Sequence, residues 1–283
     1  MPGAGEEYRH IVCPLCDSAD FRKKWCIDGA IFVRCRSCSL VIQNPRPRSL
    51  GGRYDKEYSE YEIANQEIFF DLMLKGLNDV TFFEDIVPTL PAPRRILDIG
   101  CATGRLLYHF KSLGWETAGV DLCVESAAYG NREYDVNIST KALEEGAFPE
   151  AFFSVAHSSH LIEHVEDPGE LVREIARILL PNGVFICVTP TLDGLQARIF
   201  RSRWRSAIPD HMTLFSKATL IMLLENAGFG IELIRTWGGI AKGMAPRWLK
   251  RPIDRMAKRF NFGDVLLIVG RRLMSGTSQC TEE

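Results

Sequence analysis

No stretch of the 283 residues approaches the roughly 18 uncharged apolar residues that a bilayer-crossing helix needs, and Met1 to His10 carries no apolar run of the secretory kind. The expectation is a cytoplasmic protein. An excess of either charge sign is also missing: 34 Lys and Arg against 36 Asp and Glu leave a net charge of −2, which removes any overall attraction to nucleic acid or to an anionic membrane. Any basic surface must be local. A disulfide framework is not expected either, because nine cysteines in a reducing compartment are more readily metal ligands or small buried hydrophobes. The length suits one large α/β domain plus a small appendage.

What is present begins with the cysteines. Cys13-Pro14-Leu15-Cys16 and Cys35-Arg36-Ser37-Cys38 form two Cys-x-x-Cys knuckles with 18 residues between them. That spacing can place four thiolates around one tetrahedral Zn²⁺, and a closed Cys₄ shell leaves no open position, so the metal is expected to be structural. Phe21 to Val33 reads as a β-hairpin turning at Asp28-Gly29. Residues 1–45 are read as this ribbon, with Asn44-Pro45-Arg46-Pro47-Arg48 as a stiff exit unable to continue a strand ladder. Residues 46–92 follow as a helical, cofactor-covering segment. It carries a tyrosine cluster (Tyr54, Tyr58, Tyr61) and a helical apolar pattern through Ile68, Phe69, Leu72, Met73, Leu77, Val80 and Phe83.

From residue 93 the pattern alternates strand and helix. Arg94 to Gly100 reads as a buried parallel strand ending in a glycine turn, and Arg105 to Leu113 as the next helix. Gly100 and Gly104 let a ligand approach the backbone at a helix start. The next strand ends at Asp121, 23 residues after Asp98, where a carboxylate can accept from two ribose hydroxyls. The loop lacks the Gly-x-Gly-x-x-Gly of pyrophosphate binding. Its Asp-x-Gly-x-x-x-Gly form fits S-adenosylmethionine (SAM) better. Phe152 to Ala156 reads as the fourth strand, leading into the run Ser158 to Val165. Asp167-Pro168 starts a helix running to Pro181-Asn182-Gly183, and Val184 to Pro190 is the fifth strand.

The loop from Asp98 to Gly104, Asp121, the run Ile162 to Pro168 and Leu180-Pro181-Asn182-Gly183 together resemble the core of class I SAM-dependent methyltransferases. The cysteine ribbon and tyrosine cluster resemble the subgroup with an N-terminal Cys₄ zinc ribbon. The resemblance implies an α/β, Rossmann-like seven-stranded sheet across 93–274, with acceptor-facing insertions at 191–216 and 236–263 and a disordered tail at 275–283. It implies SAM held by Asp98, Gly100, Cys101, Gly104, Asp121, Leu122, Leu143, Ser158 and Tyr61. The methyl group would go to oxygen or carbon of a small-molecule acceptor: a sugar, a nucleotide-sugar, a lipid-linked or a polyketide-like compound. The sequence departs from the family pattern at Ala102, where glycine is usual, at Phe153-Ser154, where Phe-Asp is usual, and at Lys141-Ala142-Leu143, which leaves adenine to backbone groups and Leu143.

Positioning is the main task of methyl transfer, but a hydroxyl or carbon acid also needs a base. His160, Glu163 and His164 follow the fourth strand. His160 and His164 would share a face if a helical turn formed there, and the Glu163-His164 pair matches one that sugar C-methyltransferases of the subgroup use. His211, in the turn before a helix over Lys217 to Asn226, resembles a histidine bordering the acceptor pocket. Arg198, Arg201, Arg203 and Arg205 around Trp204 suggest either a clamp for an anionic acceptor or a solvated face. Arg247 to Phe260 alternates basic and apolar residues and suggests peripheral membrane contact. The closing strands, Gly230 to Ile234 and Asp264 to Val269, are expected to pair, the last one antiparallel. Other readings are an RNA methyltransferase, which the near-neutral charge disfavours, and a non-catalytic SAM-binding scaffold. No oligomeric state follows from the pattern.

Overall fold

The computed structural model describes residues 8–47, 56–145, 148–238, 257 and 262–274. The expectations for Tyr54, for most of Arg247 to Phe260 and for the tail 275–283 lie outside these residues.

The N-terminal part carries strands β1 (Tyr8–Arg9), β2 (Phe21–Ile27), β3 (Ala30–Cys35), β4 (Val41–Gln43) and β5 (Arg46–Pro47). The β2–β3 hairpin turns at Asp28-Gly29, both at positive φ, as the turn chemistry predicts. The proline-rich exit does form a ladder. Arg46–Pro47 pairs antiparallel with Tyr8–Arg9, which correction to the expected bare exit follows from how little a two-residue edge pairing asks of the proline. Then comes α1 (Lys56–Asp79), followed by short turns of π- and 3₁₀-helix over Phe82–Ile86 and Val87–Thr89.

The elements that follow are β6 (Arg95–Ile99), α2 (Arg105–Ser112), β7 (Glu116–Val120), α3 (Val124–Glu133), β8 (Ile138–Ser139), β9 (Phe153–Ser159), α4 (Pro168–Ile178), β10 (Leu179–Pro190), α5 (Leu195–Phe200), β11 (Thr213–Leu214), α6 (Lys217–Asn226), β12 (Phe229–Trp237) and β13 (Val265–Arg272). The seven strands of the large sheet run in the order β12-β13-β10-β9-β6-β7-β8, parallel from β10 to β8, with β13 antiparallel to both of its neighbours. Helix α4 begins where its cap dictates, with Asp167 accepting from Glu170 N at 2.9 Å and Pro168 in the first turn. It ends at Ile178, earlier than expected. Leu180 to Gly183 form an irregularity at the start of β10 instead. Helix α6 is set by a Ser216–Thr219 capping box.

Successive residues on the central strands enter opposite cores: Leu97, Ala156 and Phe185 on one face, Ile96, Val155 and Ile186 on the other. The first face is covered by α4, α6 and the ribbon, whose Cys13, Leu15, Cys35, Leu40 and Ile42 enter the same cluster. The second face is covered by α1 and α2. The ribbon is thus no detached module. Its sheet runs β11-β4-β3-β2, with β11 supplied from beyond residue 200.

Candidate functional site

The strand order reverses between β6 and β9, and the crevice beyond the carboxyl ends of strands at such a point is where α/β sheets bind ligands. A cavity of about 720 Å³ opens there, lined by the turn after β6, the end of β7, one side of α1, the segment after β9 and the turn before β11.

At one end the turn Gly100 to Gly104 wraps back on β7. Gly100, Ala102 and Gly104 all sit at positive φ, 72°, 48° and 68°, so Ala102 adopts the backbone that the family's usual glycine would adopt freely. The turn is pinned by Asp121, whose Oδ2 accepts from Ala102 N at 2.7 Å and whose Oδ1 accepts from Cys123 N at 2.8 Å. Each carboxylate oxygen keeps acceptor capacity for a ligand hydroxyl. Burial raises the Asp121 pKa against these two amides. Asp98 is buried beneath. Its Oδ1 accepts from Nδ1 of His157 at 2.7 Å, the residue opposite it across β6 and β9, and its Oδ2 has no hydrogen-bond partner among the described residues. An orphaned carboxylate oxygen under a turn of close-approach backbone suits a cationic or N–H-bearing ligand group.

Helix α1 covers this end with residues that the tyrosine cluster did not announce. Glu62 is buried with Oε2 accepting from Ser126 Oγ at 2.5 Å. Burial, then the charge of Asp121, pushes its pKa up to about 7. Gln66 accepts from Thr103 Oγ1 at 3.1 Å and Tyr134 OH at 2.7 Å, and donates to Tyr129 OH at 3.2 Å. The only signal for either in the sequence is a polar residue on an amphipathic helix.

The structure brings Tyr61, Gly100, Cys101, Asp121, Leu122 and Leu143 to the cavity wall, together with His160, His164 and His211 at the other end. Asp98, Gly104, Ser158 and Glu163 are not on that wall. Ser158 points away because β9 runs on to Ser159, past the expected end at Ala156. The two-residue period then turns His157 and Ser159 to the cavity and leaves Ser158 beside Cys187 on the opposite side.

The helical turn expected to align His160 with His164 does not form. His160 sits at φ 55°, and a tight turn closes with His164 N donating to Leu161 O at 2.8 Å. The two rings separate. His160 Nδ1 lies 3.3 Å from Glu163 Oε1 and is half exposed, whereas His164 Nδ1 donates to Asp210 O at 3.0 Å and its ring meets that of His211 edge-on at 4.6 Å. His211 Nδ1 donates to Ser206 O at 2.8 Å, and burial lowers its pKa to about 4, holding the ring neutral. Glu163 is fully buried, accepting from Thr189 Oγ1 at 2.8 Å; burial opposes its charge, but His160 keeps its pKa below the ordinary value. Of the arginine cluster only Arg205 lines the cavity, and Arg198, Arg201 and Arg203 face solvent, so the four do not form one clamp. Trp204, between them, is buried in the core shared with the ribbon.

The four ribbon cysteines converge, one Sγ from each within 4.8 Å of the others. Cys13 and Cys38 sulfurs are 3.4 Å apart and those of Cys16 and Cys35 3.6 Å. Both separations are close to the roughly 3.8 Å edge of a Zn–S tetrahedron with bonds of about 2.3 Å. Each knuckle is followed by a left-handed residue, Asp17 and Ser39, and is closed by Asp17 N donating to Cys13 O and Ser39 N to Cys35 O. Such a donor set fits zinc.

A family model described as a methyltransferase domain matches residues 76–234. The ubiquinone biosynthesis O-methyltransferase of a Caulobacter species is 36% identical over 104 residues, 34% of this chain and 40% of that protein. A Mycolicibacterium smegmatis protein named as a probable SAM-dependent methyltransferase is 32% identical over 144 residues, 50% of this chain and 54% of that protein. The match thus spans about half or less of these curated relatives. A SAM-dependent methyltransferase structure from Archaeoglobus fulgidus superposes with a TM-score of 0.54 at 21% identity, covering 75% of this chain and 99% of that one, which is a likeness of fold. Among the described residues no helix is long and apolar enough to cross a membrane.

Proposed function

The chain belongs to the methyltransferase-domain family, and from that premise we propose that it is a SAM-dependent enzyme that methylates oxygen or carbon of a small-molecule acceptor. The observation that carries this reading is the continuity of the cavity, which runs from the Gly100–Ala102 turn and Asp121 to His160, His164 and His211 without a wall between them. A donor and an acceptor fit one continuous cavity, which is what an in-line transfer requires.

SAM, when bound, supplies the methyl group on a sulfonium. We assign Asp121, Leu122 and Leu143 to its nucleoside portion and Gly100 and Cys101 to the remainder, because these five line the cavity, with Asp98 buried beneath the turn. At the acceptor end His160 is poised to take a proton, with the Glu163 carboxylate beside it to stabilise the cation formed. Tyr61 and the α1 face line the donor end of the cavity. The ribbon cysteines are proposed to hold one structural Zn²⁺.

Isothermal titration with SAM tests the reading. Saturable one-to-one binding is expected, with affinity lowered roughly 10- to 100-fold in Asp121→Ala through loss of hydrogen bonds to a charged group. Absence of SAM binding to the intact chain overturns it.

A further inference from the structure

Glu163, His164 and His211 come from two turns that the backbone ties together, Thr213 N donating to Glu163 O at 3.1 Å, and each offers one ligand atom within 4.8 Å of the others. We infer that these three residues form a divalent-metal site at the acceptor end of the cavity, separate from the cysteine cluster.

Three observations converge on it. The first is the tautomer: both imidazoles spend Nδ1–H on backbone carbonyls, His164 on Asp210 and His211 on Ser206, which leaves the Nε2 lone pair of each ring available. Metal-binding histidines are held in this way by their outer partners. The second is the carboxylate. Glu163 is 1% exposed; Oε2 is satisfied by Thr189, and Oε1 faces the half-exposed His160 Nδ1 at 3.3 Å without an aligned hydrogen bond among the described residues. A buried anionic oxygen held so loosely keeps acceptor capacity for a cation. The third is access. His164 and His211 line the cavity, so three protein ligands on one side leave coordination positions open to a small molecule. Metal bonds of about 2.0 to 2.2 Å place ligand atoms roughly 3 to 4 Å apart, within a small side-chain rotation of what is seen.

Two imidazoles and one carboxylate suit Mn²⁺, Fe²⁺, Co²⁺ or Zn²⁺ better than the all-oxygen preferences of Mg²⁺ and Ca²⁺. Resting on the methyltransferase reading, the site narrows the acceptor to compounds with an ionisable hydroxyl, best with a second oxygen on the adjacent carbon for chelation. The coordinated hydroxyl gives its proton to His160. Its oxygen lone pair forms the new bond to the methyl carbon, and the carbon–sulfur bonding pair stays on sulfur as the sulfonium becomes a thioether.

Mn²⁺ is the probe, because thiolates at the ribbon select softer ions. With zinc left at the ribbon and exchangeable metal removed on a chelating resin, and titrated while the free-ion electron paramagnetic resonance signal is followed, the chain is expected to bind one Mn²⁺ per molecule. Affinity should fall by at least about tenfold in Glu163→Gln, His164→Ala and His211→Ala. No bound Mn²⁺ at 0.1 mM protein, or undiminished binding in all three variants, overturns the inference. Should those variants misfold, zinc counting on the wild type decides: two Zn²⁺ per chain support the site, and one defeats it. SAM titration of the same samples separates the two claims, since SAM binding without Mn²⁺ defeats only the metal site, and Mn²⁺ binding without SAM defeats only the methyltransferase reading.

Discussion

Glu62, on α1, is buried, and burial together with the nearby Asp121 charge raises the cost of ionising it. With a folded pKa of about 7 against 4.5 for the free side chain, the folded state holds this proton through a range in which the unfolded chain has lost it. Stability from this group therefore falls as pH rises from about 4.5 to about 7 and stays low above that, by an upper limit of about 3 kcal/mol. Glu62→Gln keeps an acceptor for Ser126 without the charge. Chemical denaturation is expected to show the variant more stable than wild type at pH 8 and equal at pH 4.5, and equal stability at both values would place Glu62 in water. Arg46 is the complementary case. Its guanidinium, 1% exposed, donates to Gln43 O, Glu166 O, Met212 O and Thr213 Oγ1. Arg46→Ala would strand those acceptors and should cost about 2 to 4 kcal/mol in urea unfolding.

At the scale of elements, what could be read in the chain was what neighbouring residues decide. The start of α4 was legible because Asp167 is a cap whose partner lies three residues on, and the β2–β3 hairpin because Asp28-Gly29 suits its turn. That Asp121 and Gly100 come to one cavity was legible from spacing between strand ends. What was not legible needed tertiary contacts. The length of β9, and with it the side on which Ser158 lies, is set by pairing with β6 and β10, and the separation of His160 from His164 by a left-handed residue that no local signal marks. Arg46 read as part of a linker because three of its four partners stand more than a hundred residues away. The docking of α1 on the donor turn falls in the same class. Gln66 joins it to Thr103, Tyr129 and Tyr134. Gln66→Ala is expected to weaken SAM binding several-fold, read by titration, while leaving the far-ultraviolet circular dichroism spectrum unchanged. Unaltered affinity would mean that α1 covers the site without shaping it.

Across the whole molecule, the cysteine cluster and the acceptor end are mechanically one unit. Cys35 ends β3, β3 pairs with β4, and β4 pairs with β11 through Val41–Leu214 and Ile42–Thr213, while Gln43 N donates to Met212 O at 2.8 Å, one residue from His211. Cys13, Leu15, Cys35, Leu40 and Ile42 also fill the core beneath α4 and α6, so metal held by the cysteines would stabilise a sheet face as well as a loop. The donor end is anchored differently, through β6, β7 and α1, on strands that the ribbon does not pair with. Removing the metal with a chelator, or replacing Cys13 with Ser, should therefore lower the melting temperature and loosen the two ends unequally. Hydrogen exchange is expected to rise over 11–43 and also over 205–214, with little change over 96–104. Methyl transfer should fall while SAM affinity holds within a few-fold. Exchange confined to 11–43 would reduce the ribbon to an independent appendage, and equal loss at 96–104 would mean that the metal supports the entire fold.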